Sequence, residues 1–118
     1  MKPFSLPKSS LLRTPDQYKR VYRQGKRLRG NNFSIIFAPN DREGDRLGIS
    51  VHGVKRAVQR NRIKRILREY YRLHREQMTL LFSKKNKTGP HDIVFAVRSA
   101  FTLNSPMEVK LAIRSLLN

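Results

Sequence analysis

Residues 55–75 have the sequence KRAVQRNRIKRILREYYRLHR, which predicts a long helix with two unlike faces. At about 100° per residue, one arc of this helix is apolar and the opposite arc is basic. We expect the helix to extend to about residue 81 or 82, to pack its apolar arc on a core and to offer its basic arc to an anionic partner. The apolar arc comprises Ile63, Ile66, Leu67, Tyr70, Leu73 and His74, and the basic arc comprises Arg56, Arg60, Lys64, Arg65, Arg68, Arg72 and Arg75, with Asn61 inside it and Arg62 near its boundary.

The whole chain shares this excess of positive charge. Its 118 residues include 26 Lys and Arg against 8 Asp and Glu, a formal net charge of +18. A chain with this imbalance repels itself, and a nucleic acid is the partner that would offset the repulsion. The ordinary alternative for a charge run is a solvated surface. Glu69 is the one acid within residues 55–75, so few ion pairs along the helix could balance such a surface.

The sequence also bounds the class of protein. It has no cysteine, which excludes disulfides and thiolate metal sites and suits a reducing compartment. The N-terminal residues MKPFSLPK lack the apolar segment of a signal peptide. The longest apolar run, residues 93–97, is far shorter than the ~20 residues that span a bilayer. We therefore expect one domain over residues 1–118 with an irregular arm at residues 1–13, located in the cytoplasm and not on a membrane.

Local patterns predict the elements that precede the long helix. Thr14 is suited to cap a helix that has Pro15 at its first position and Gln17 to complete a capping box, and Gly25 should end it. Residues 26–32 are expected to be a basic connector. Residues 33–37 and 46–51 alternate with strand period, and residues 39–45 are expected to join them as a hairpin loop.

The elements after the long helix are predicted in the same way. Residues 84–90 are expected to form a mobile basic loop, and residues 92–98 a third strand. Ser105 and Glu108 form a second capping signal. The order helix, strand, strand, long helix, strand, helix favours a small two-layer α/β sandwich. The last helix should bury Val109, Leu111 or Ala112, Ile113, and Leu116 or Leu117.

Groups that could perform chemistry are sparse. Among the carboxylates only Asp41, Glu43 and Asp45 lie close in sequence, and a solvated turn explains them more simply than a metal site. The histidines are spread out, and no general acid–base pair or nucleophile motif is present. The sequence thus predicts no catalytic residue and no metal site in the protein, and favours a binding function.

Tyr18 and Tyr22 lie one turn apart on the first predicted helix. Tyrosines in this arrangement commonly pack in a core with the hydroxyl group at its edge. Alternatively, they project over the small-residue face of the sheet, where aromatic rings beside cations could stack unpaired bases. The neighbours on that face would be Ser34, Ile36, Ser50 and Arg98.

The sequence AVQRNRIKRILRE at residues 57–69 resembles the signature helix of the protein subunit of bacterial ribonuclease P. Three further stretches agree with this family in order: QYKRVYRQG at residues 17–25, LGISV at 47–51 and DIVFAVR at 92–98. The resemblance covers about residues 10–117. A small ribosomal protein or another structural RNA-binding protein would share the charge and size but not this ordered match.

The resemblance implies the fold and the activity. The fold would be α+β, a compact two-layer sandwich of the αβββαβα type with a left-handed βαβ crossover, like domain 2 of ribosomal protein S5. The activity would belong to the ribonuclease P holoenzyme, an endoribonuclease that removes the 5′ leader from precursor tRNA. Its catalytic RNA would perform the hydrolysis with Mg²⁺ bound mainly by the RNA, and no organic cofactor is expected on the protein. One protein monomer would assist each RNA.

By the same resemblance, the helix contacts the catalytic RNA and a central cleft binds the single-stranded leader. Lys26, Arg27 and Arg29 are expected to screen phosphates of the folded RNA. The sequence departs from the family at residues 52–56, where HGVKR stands in place of a frequent Lys-Lys pair, and at Ile36, where some members have tyrosine. The expected RNA contacts are Arg56, Arg60, Asn61, Arg62, Lys64, Arg65, Arg68 and Arg72, and the expected cleft residues are Tyr18, Tyr22, Ile36, Ser50 and Arg98.

Overall fold

The structure, a computed structural model, describes residues 8–84 and 89–117. The order of its elements confirms the α+β class and the αβββαβα arrangement, with the long helix divided in two. In chain order these are a short 3₁₀ helix at Lys8–Ser10, α1 at Pro15–Gln24, β1 at Lys26–Arg29, β2 at Phe33–Pro39, β3 at Arg46–Val51, α2 at Ala57–Leu73, α3 at Arg75–Lys84, β4 at His91–Val97 and α4 at Pro106–Leu117.

The four strands form one sheet in the order β1-β2-β4-β3. β4 pairs antiparallel with β2 and parallel with β3, so it lies between the two strands that precede it in the chain. The prediction of a hairpin at residues 39–45 is therefore wrong. A turn-rich link between two strands looks the same whether or not the strands are neighbours, and here a strand from much later in the chain separates them. The parallel β3–β4 pair needs a long crossover, which α2 and α3 provide.

Residues 26–32 are not the connector that we expected, because Lys26–Arg29 form the edge strand β1. Lys26 faces Phe37 and Arg29 faces Ser34 in the antiparallel register with β2. Only Leu28 is apolar in this strand, so the sequence shows no alternation. An edge strand tolerates this composition, since charged side chains at an edge also block pairing with other chains.

The two faces of the sheet bury different side chains, as their alternation predicts. One face carries Phe33, Ile35 and Phe37 of β2 and packs against α2, α3 and α4. The other face carries Ile36 and Ala38 and packs against Val21 of α1. The helical layer on the first face builds the main core, and α1 covers only part of the second face.

The predicted long helix ends at Leu73, and His74 leaves helical geometry with φ −131° and ψ 42° before α3 begins. Leu73 is 48% exposed, whereas Tyr71 is 1% exposed, the reverse of the predicted apolar arc. At about 100° per residue, Tyr71 lies next to one edge of the predicted arc and Leu73 forms the other edge, so the buried side of α2 is shifted toward Tyr71. Tyr71 instead packs into the main core, and burial together with the negative charge of Asp45 raises its pKa to about 12.

A buried hydrogen-bond chain joins the three helices of the main layer. The Tyr70 hydroxyl donates to the Gln77 side-chain oxygen, and the Gln77 amide donates to the Lys110 carbonyl oxygen over 3.0 Å. Burial and the nearby charge of Glu76 raise the pKa of Tyr70. In α4, Val109 and Ile113 are fully buried. Ala112 and Leu116 are half-buried and Leu111 is exposed, which resolves the first pair of alternatives in favour of Ala112.

The capping signals are confirmed. Gln17 N–H donates to Thr14 Oγ1 over 3.3 Å, and the Gln17 side chain accepts from Thr14 N–H over 3.1 Å. At α4, Glu108 N–H donates to Ser105 Oγ over 3.3 Å. Each of these side chains satisfies a backbone donor that the first turn of a helix leaves without a partner.

Where the structure describes it, the N-terminal arm has a short 3₁₀ helix at Lys8–Ser10 and contacts β3. Leu12 N–H donates to the Leu47 carbonyl oxygen over 2.8 Å, and the Leu12 side chain is buried under α1. The contact satisfies a backbone group on the free edge of β3. The rest of the arm, residues 1–7, and most of the predicted basic loop, residues 85–88, lie outside the described residues.

Asp92 lies at the centre of a polar network that fixes α1 to the sheet. Its side chain is fully buried. Arg46 on β3 donates to both carboxylate oxygens, over 2.8 and 2.6 Å, and Arg20 on α1 donates over 3.1 Å. Asn40 donates over 2.8 Å, and Arg20 also donates to the Pro39 carbonyl oxygen over 2.6 Å. The carboxylate of Asp92 at the start of β4 thus connects this strand to α1, to β3 and to the loop that contains Asn40.

Gly25 sets how closely α1 approaches the sheet, and we expect Gly25→Ala to lower the free energy of unfolding by about 1–3 kcal/mol. A Cβ atom there would lie 2.5 Å from the Val21 carbonyl oxygen and 2.8 Å from Ile36 Cγ2. The φ of −82° is ordinary, so the cost is steric. Gly44→Ala is the control: no atom lies within 4 Å of its Cβ position, and we expect a change within about 0.5 kcal/mol. Urea unfolding measures both, and equal costs would contradict the steric explanation.

Candidate nucleic-acid interface

A cleft of about 480 Å³ lies on the sheet face that α1 leaves partly open. Tyr22 projects from α1 at one side, and Arg27 and Arg29 line it from β1. Ser34 of β2 and Ala96 of β4 face each other in register and provide small side chains between these walls. The Arg27 guanidinium carbon lies 6.0 Å from the centre of the Tyr22 ring, within the range of a cation–π contact.

The charge of the cleft is of one sign. Arg27, Arg29 and Arg98 line it, and no acidic side chain does among the described residues. His52 lines the cleft from the end of β3, where its Nε2 atom lies 2.7 Å from the Ser50 hydroxyl oxygen. The arrangement can bind an extended polyanion that carries flat, stackable groups.

The predicted cleft residues occupy two different environments. Tyr22 is 37% exposed, and both Tyr22 and Arg98 line the cleft. Ser50 is half-buried and reaches the cleft through its contact with His52. Ile36 is 1% exposed beneath α1. Ile36 therefore does not line the cleft as we expected, because α1 covers its side chain.

Tyr18 packs on the sheet and does not project into open space. Its ring lies over Gly48, where an added Cβ atom would come within 2.7 Å of the ring. Its hydroxyl oxygen accepts from Ile49 N–H over 3.3 Å. Burial raises the pKa of Tyr18, and the positive charge of Arg68 partly opposes that shift. The packing alternative thus describes Tyr18, and the exposed alternative describes Tyr22.

Arg27, Arg29 and His52 are cleft residues that the sequence did not predict. Arg27 and Arg29 were expected to contact folded RNA from a connector, but the β1–β2 register places Arg29 opposite Ser34. The signal that could have found them is the spacing of the two arginines with strand period beside Leu28. Without a predicted strand at these positions, nothing assigned them to a face of the sheet.

The basic arc of α2 contains both exposed and engaged side chains. Arg60 is half-buried and donates to the carbonyl oxygens of Val54 and Lys55 over 2.9 and 2.7 Å, so it stabilises the entry to the helix. Arg72 pairs with Glu69 over 3.0 Å. Lys64 is half-buried, and the exposed members of the predicted set are Arg56, Asn61, Arg62, Arg65 and Arg68.

Arg65 and Arg68 are two neighbouring exposed charges of this arc. Neither side chain makes a hydrogen bond or an ion pair with another residue of the described part of the chain. The positive charge of Arg68 also tends to lower the pKa of Tyr18 on α1.

Two findings concern what the described residues do not contain. Within residues 8–84 and 89–117, no cluster of three or more His, Cys, Asp or Glu side chains could hold a metal ion. Asp45, one of the three acids of residues 41–45, accepts a hydrogen bond from the backbone N–H of His91 over 2.7 Å. No helix in the same residues is long and apolar enough to cross a membrane.

Comparisons with known proteins agree with this geometry. A family model described as Ribonuclease P matches residues 6–118. The ribonuclease P protein component of Desulfotalea psychrophila is 49% identical, and the match covers 98% of this chain and 90% of the relative. The Staphylococcus aureus RNase P protein has a similar fold, with a TM-score of 0.73, 23% identity and coverage of 93% and 94%. The RNase P protein from Thermotoga maritima gives a TM-score of 0.67, 25% identity and coverage of 91% and 94%.

Proposed function

The chain belongs to the ribonuclease P protein family, and from this premise we propose that its two basic surfaces bind two different RNAs. It is a protein subunit of the ribonuclease P ribonucleoprotein, the holoenzyme that processes tRNA. A ribosomal or other structural RNA-binding protein is not favoured. We propose that the exposed arc of α2 binds the catalytic RNA and that the cleft binds the 5′ leader of precursor tRNA.

The α2 surface suits a folded RNA. Arg65 and Arg68 have no neutralising partner among the described residues, so phosphates would meet their full charge. Arg56, Asn61 and Arg62 extend the contact toward the start of the helix, while Arg60 and Arg72 hold the helix and its entry in place. Screening by these cations would let the RNA pack closely at lower Mg²⁺.

The Mg²⁺ ions of the reaction are proposed to lie on the RNA. Mg²⁺ prefers several oxygen ligands in octahedral geometry. The cleft is lined by guanidinium groups, which repel a cation, and the acidic side chains of the described residues do not cluster. The residues that the structure describes therefore do not fit a resident Mg²⁺ site, and this supports our proposal that the RNA subunit performs the hydrolysis.

The cleft suits a single strand, and the observation that carries this proposal is the grouping of Tyr22 with Arg27, Arg29 and Arg98 around small side chains. A base would stack on Tyr22, and the guanidinium groups would contact successive phosphates. Ser34 and Ala96 leave room for the backbone of the strand. Contacts with the leader would favour precursor tRNA over mature tRNA.

Multiple-turnover cleavage of precursor tRNA by a bacterial ribonuclease P RNA at low Mg²⁺ tests the proposal. We expect strong activation when the protein is added and no cleavage by the protein alone. We also propose that one protein monomer binds each RNA, and titration of the RNA with protein tests this stoichiometry. The proposed location of the holoenzyme is the cytoplasm. Failure to activate several such RNAs would contradict the proposed role.

We expect Tyr22→Ala to weaken holoenzyme binding of precursor tRNA by about 5- to 100-fold, the range for one stacked base. Binding of mature tRNA and assembly with the catalytic RNA should stay unchanged, because Tyr22 contacts neither in this proposal. Filter binding of precursor and mature tRNA measures the difference. Met107→Ala, which truncates an exposed side chain on α4, is the control. An equal loss for both tRNAs would contradict leader binding in the cleft.

A further inference from the structure

A second hollow lies beside the cleft, on the other side of the segment that follows β4. This groove of about 420 Å³ lies between the first turns of α2 and residues 99–104. Arg98 and Ala100 line the cleft, whereas Ser99 and Phe101 line the groove. Residues 98–101 thus form a wall that the cleft and the groove share.

The groove has an apolar base and a polar rim. Ile63 is buried, and Val54, Phe101 and Leu103 are half-buried within it. The Phe101 ring packs against Phe33 in a tilted arrangement, with ring centres 6.4 Å apart. The Phe101 ring offers a flat apolar surface of the kind on which a nucleobase stacks.

The rim carries hydrogen-bonding groups with spare capacity. Arg62 donates to Asn104 Oδ1 over 2.9 Å, which holds the guanidinium at the rim and leaves the Asn104 amide N–H groups available. The Gln59 amide has no hydrogen-bond partner among the described residues. Amide side chains can pair with the edge of a base as donor and acceptor.

Charge complementarity selects the occupant. Arg62 lies on the rim, and Arg56 is exposed at the N-cap of α2, six residues earlier. No acidic side chain lines the groove among the described residues. Glu108 of α4 accepts from Asn104 N–H over 2.9 Å and from the Ser105 hydroxyl over 3.3 Å. An anionic chain that carries flat bases fits these features better than a peptide does.

We propose that this groove takes one unstacked base of the catalytic RNA. The base would lie against Phe101, the amides of Gln59 and Asn104 would pair with its edge, and Arg62 would contact its phosphate. The inference rests on the proposed function, since it requires the RNA partner. Residues 98–101 would then contact the catalytic RNA on one side and the leader on the other.

Filling the groove tests the proposal. Gln59 is exposed, so Gln59→Trp places a large ring at the rim without disturbing the core. We expect it to weaken binding of a bacterial ribonuclease P RNA by about 5- to 100-fold. Base-specific chemical modification of that RNA, with dimethyl sulfate for adenine and cytosine and a carbodiimide for guanine and uracil, should show one base that the wild-type protein protects and Gln59→Trp leaves reactive.

Two further variants keep the test decisive. Leu80→Trp adds the same ring at an exposed position on α3 outside the groove and should bind and protect like the wild type. Phe101→Leu keeps apolar packing but removes the flat ring, and the same base should regain reactivity. Unchanged RNA affinity with Gln59→Trp, or weaker binding with no base gaining reactivity, would overturn the inference. Failure of the wild-type protein to bind the RNA would instead overturn the proposed function, and this inference with it.

Discussion

Asp92→Ala is expected to lower the free energy of unfolding by about 3 kcal/mol, at the lower end of the range for removing one partner of a buried ion pair. The variant leaves Arg46, whose side chain is 12% exposed, without its carboxylate. Arg20 is 36% exposed and can turn to water, which limits the loss. Asn40 also loses an acceptor. Asp92→Asn should cost less, because it keeps the shape and one acceptor oxygen.

Urea or thermal unfolding of the free protein measures this effect. Glu43→Ala is the matched control, because it removes one negative charge from an exposed loop residue with no hydrogen bond or ion pair in the described residues. We expect the control to change stability by less than about 0.5 kcal/mol. If the two variants cost the same, net charge and not the buried network would explain the loss.

The Arg65→Ala/Arg68→Ala double variant is expected to cause the largest loss of assembly with the catalytic RNA. Each arginine is exposed and makes no ion pair with a described residue, so each would neutralise about one phosphate. Loss of two such contacts should flatten the plot of log affinity against log salt by about two units and weaken binding about 10- to 100-fold at about 0.1 M salt. Fluorescence titration of labelled RNA over a range of KCl concentrations measures both quantities.

Arg42→Ala/Arg114→Ala is the control for this prediction. Both side chains are exposed, one in the loop before β3 and the other on α4, so the double variant changes net charge equally at positions away from the proposed surface. Its salt dependence should match that of the wild type. The same loss in both double variants would mean that net charge alone governs binding and that α2 has no special role.

Comparison of α1 with β1 shows why some elements were predictable and others were not. The capping box of α1 lies within four residues and needs no other part of the chain, so Thr14 and Gln17 correctly predicted the start of this helix. β1 has one apolar side chain and becomes a strand only because β2 offers its edge. The strand order likewise depends on β4, which enters the sheet between strands that no local pattern could separate.

The residues of the two proposed binding surfaces also divide into those that local sequence predicts and those that depend on distant contacts. The exposed charges of Arg65 and Arg68 follow from helical period, whereas Arg60 and Arg72 share that period but are engaged within the protein. Tyr18 and Tyr22 share one face of α1, yet Gly48 lies under the first and the open cleft beside the second. Spacing identifies the face on which a side chain lies, but only the neighbouring element decides whether that face is open.

By itself, the sequence determined the mixture of helices and strands, the alternating faces of β2, β3 and β4, the amphipathic character of α2 and the cationic character of the surface. These properties depend on residues close together in the chain and on total charge. The tertiary structure decided the sheet order, the break at His74, the burial of Ile36 and the placing of Arg27 and Arg29 in the cleft. Each of these depends on contacts between segments far apart in sequence, whose free energy no local pattern contains.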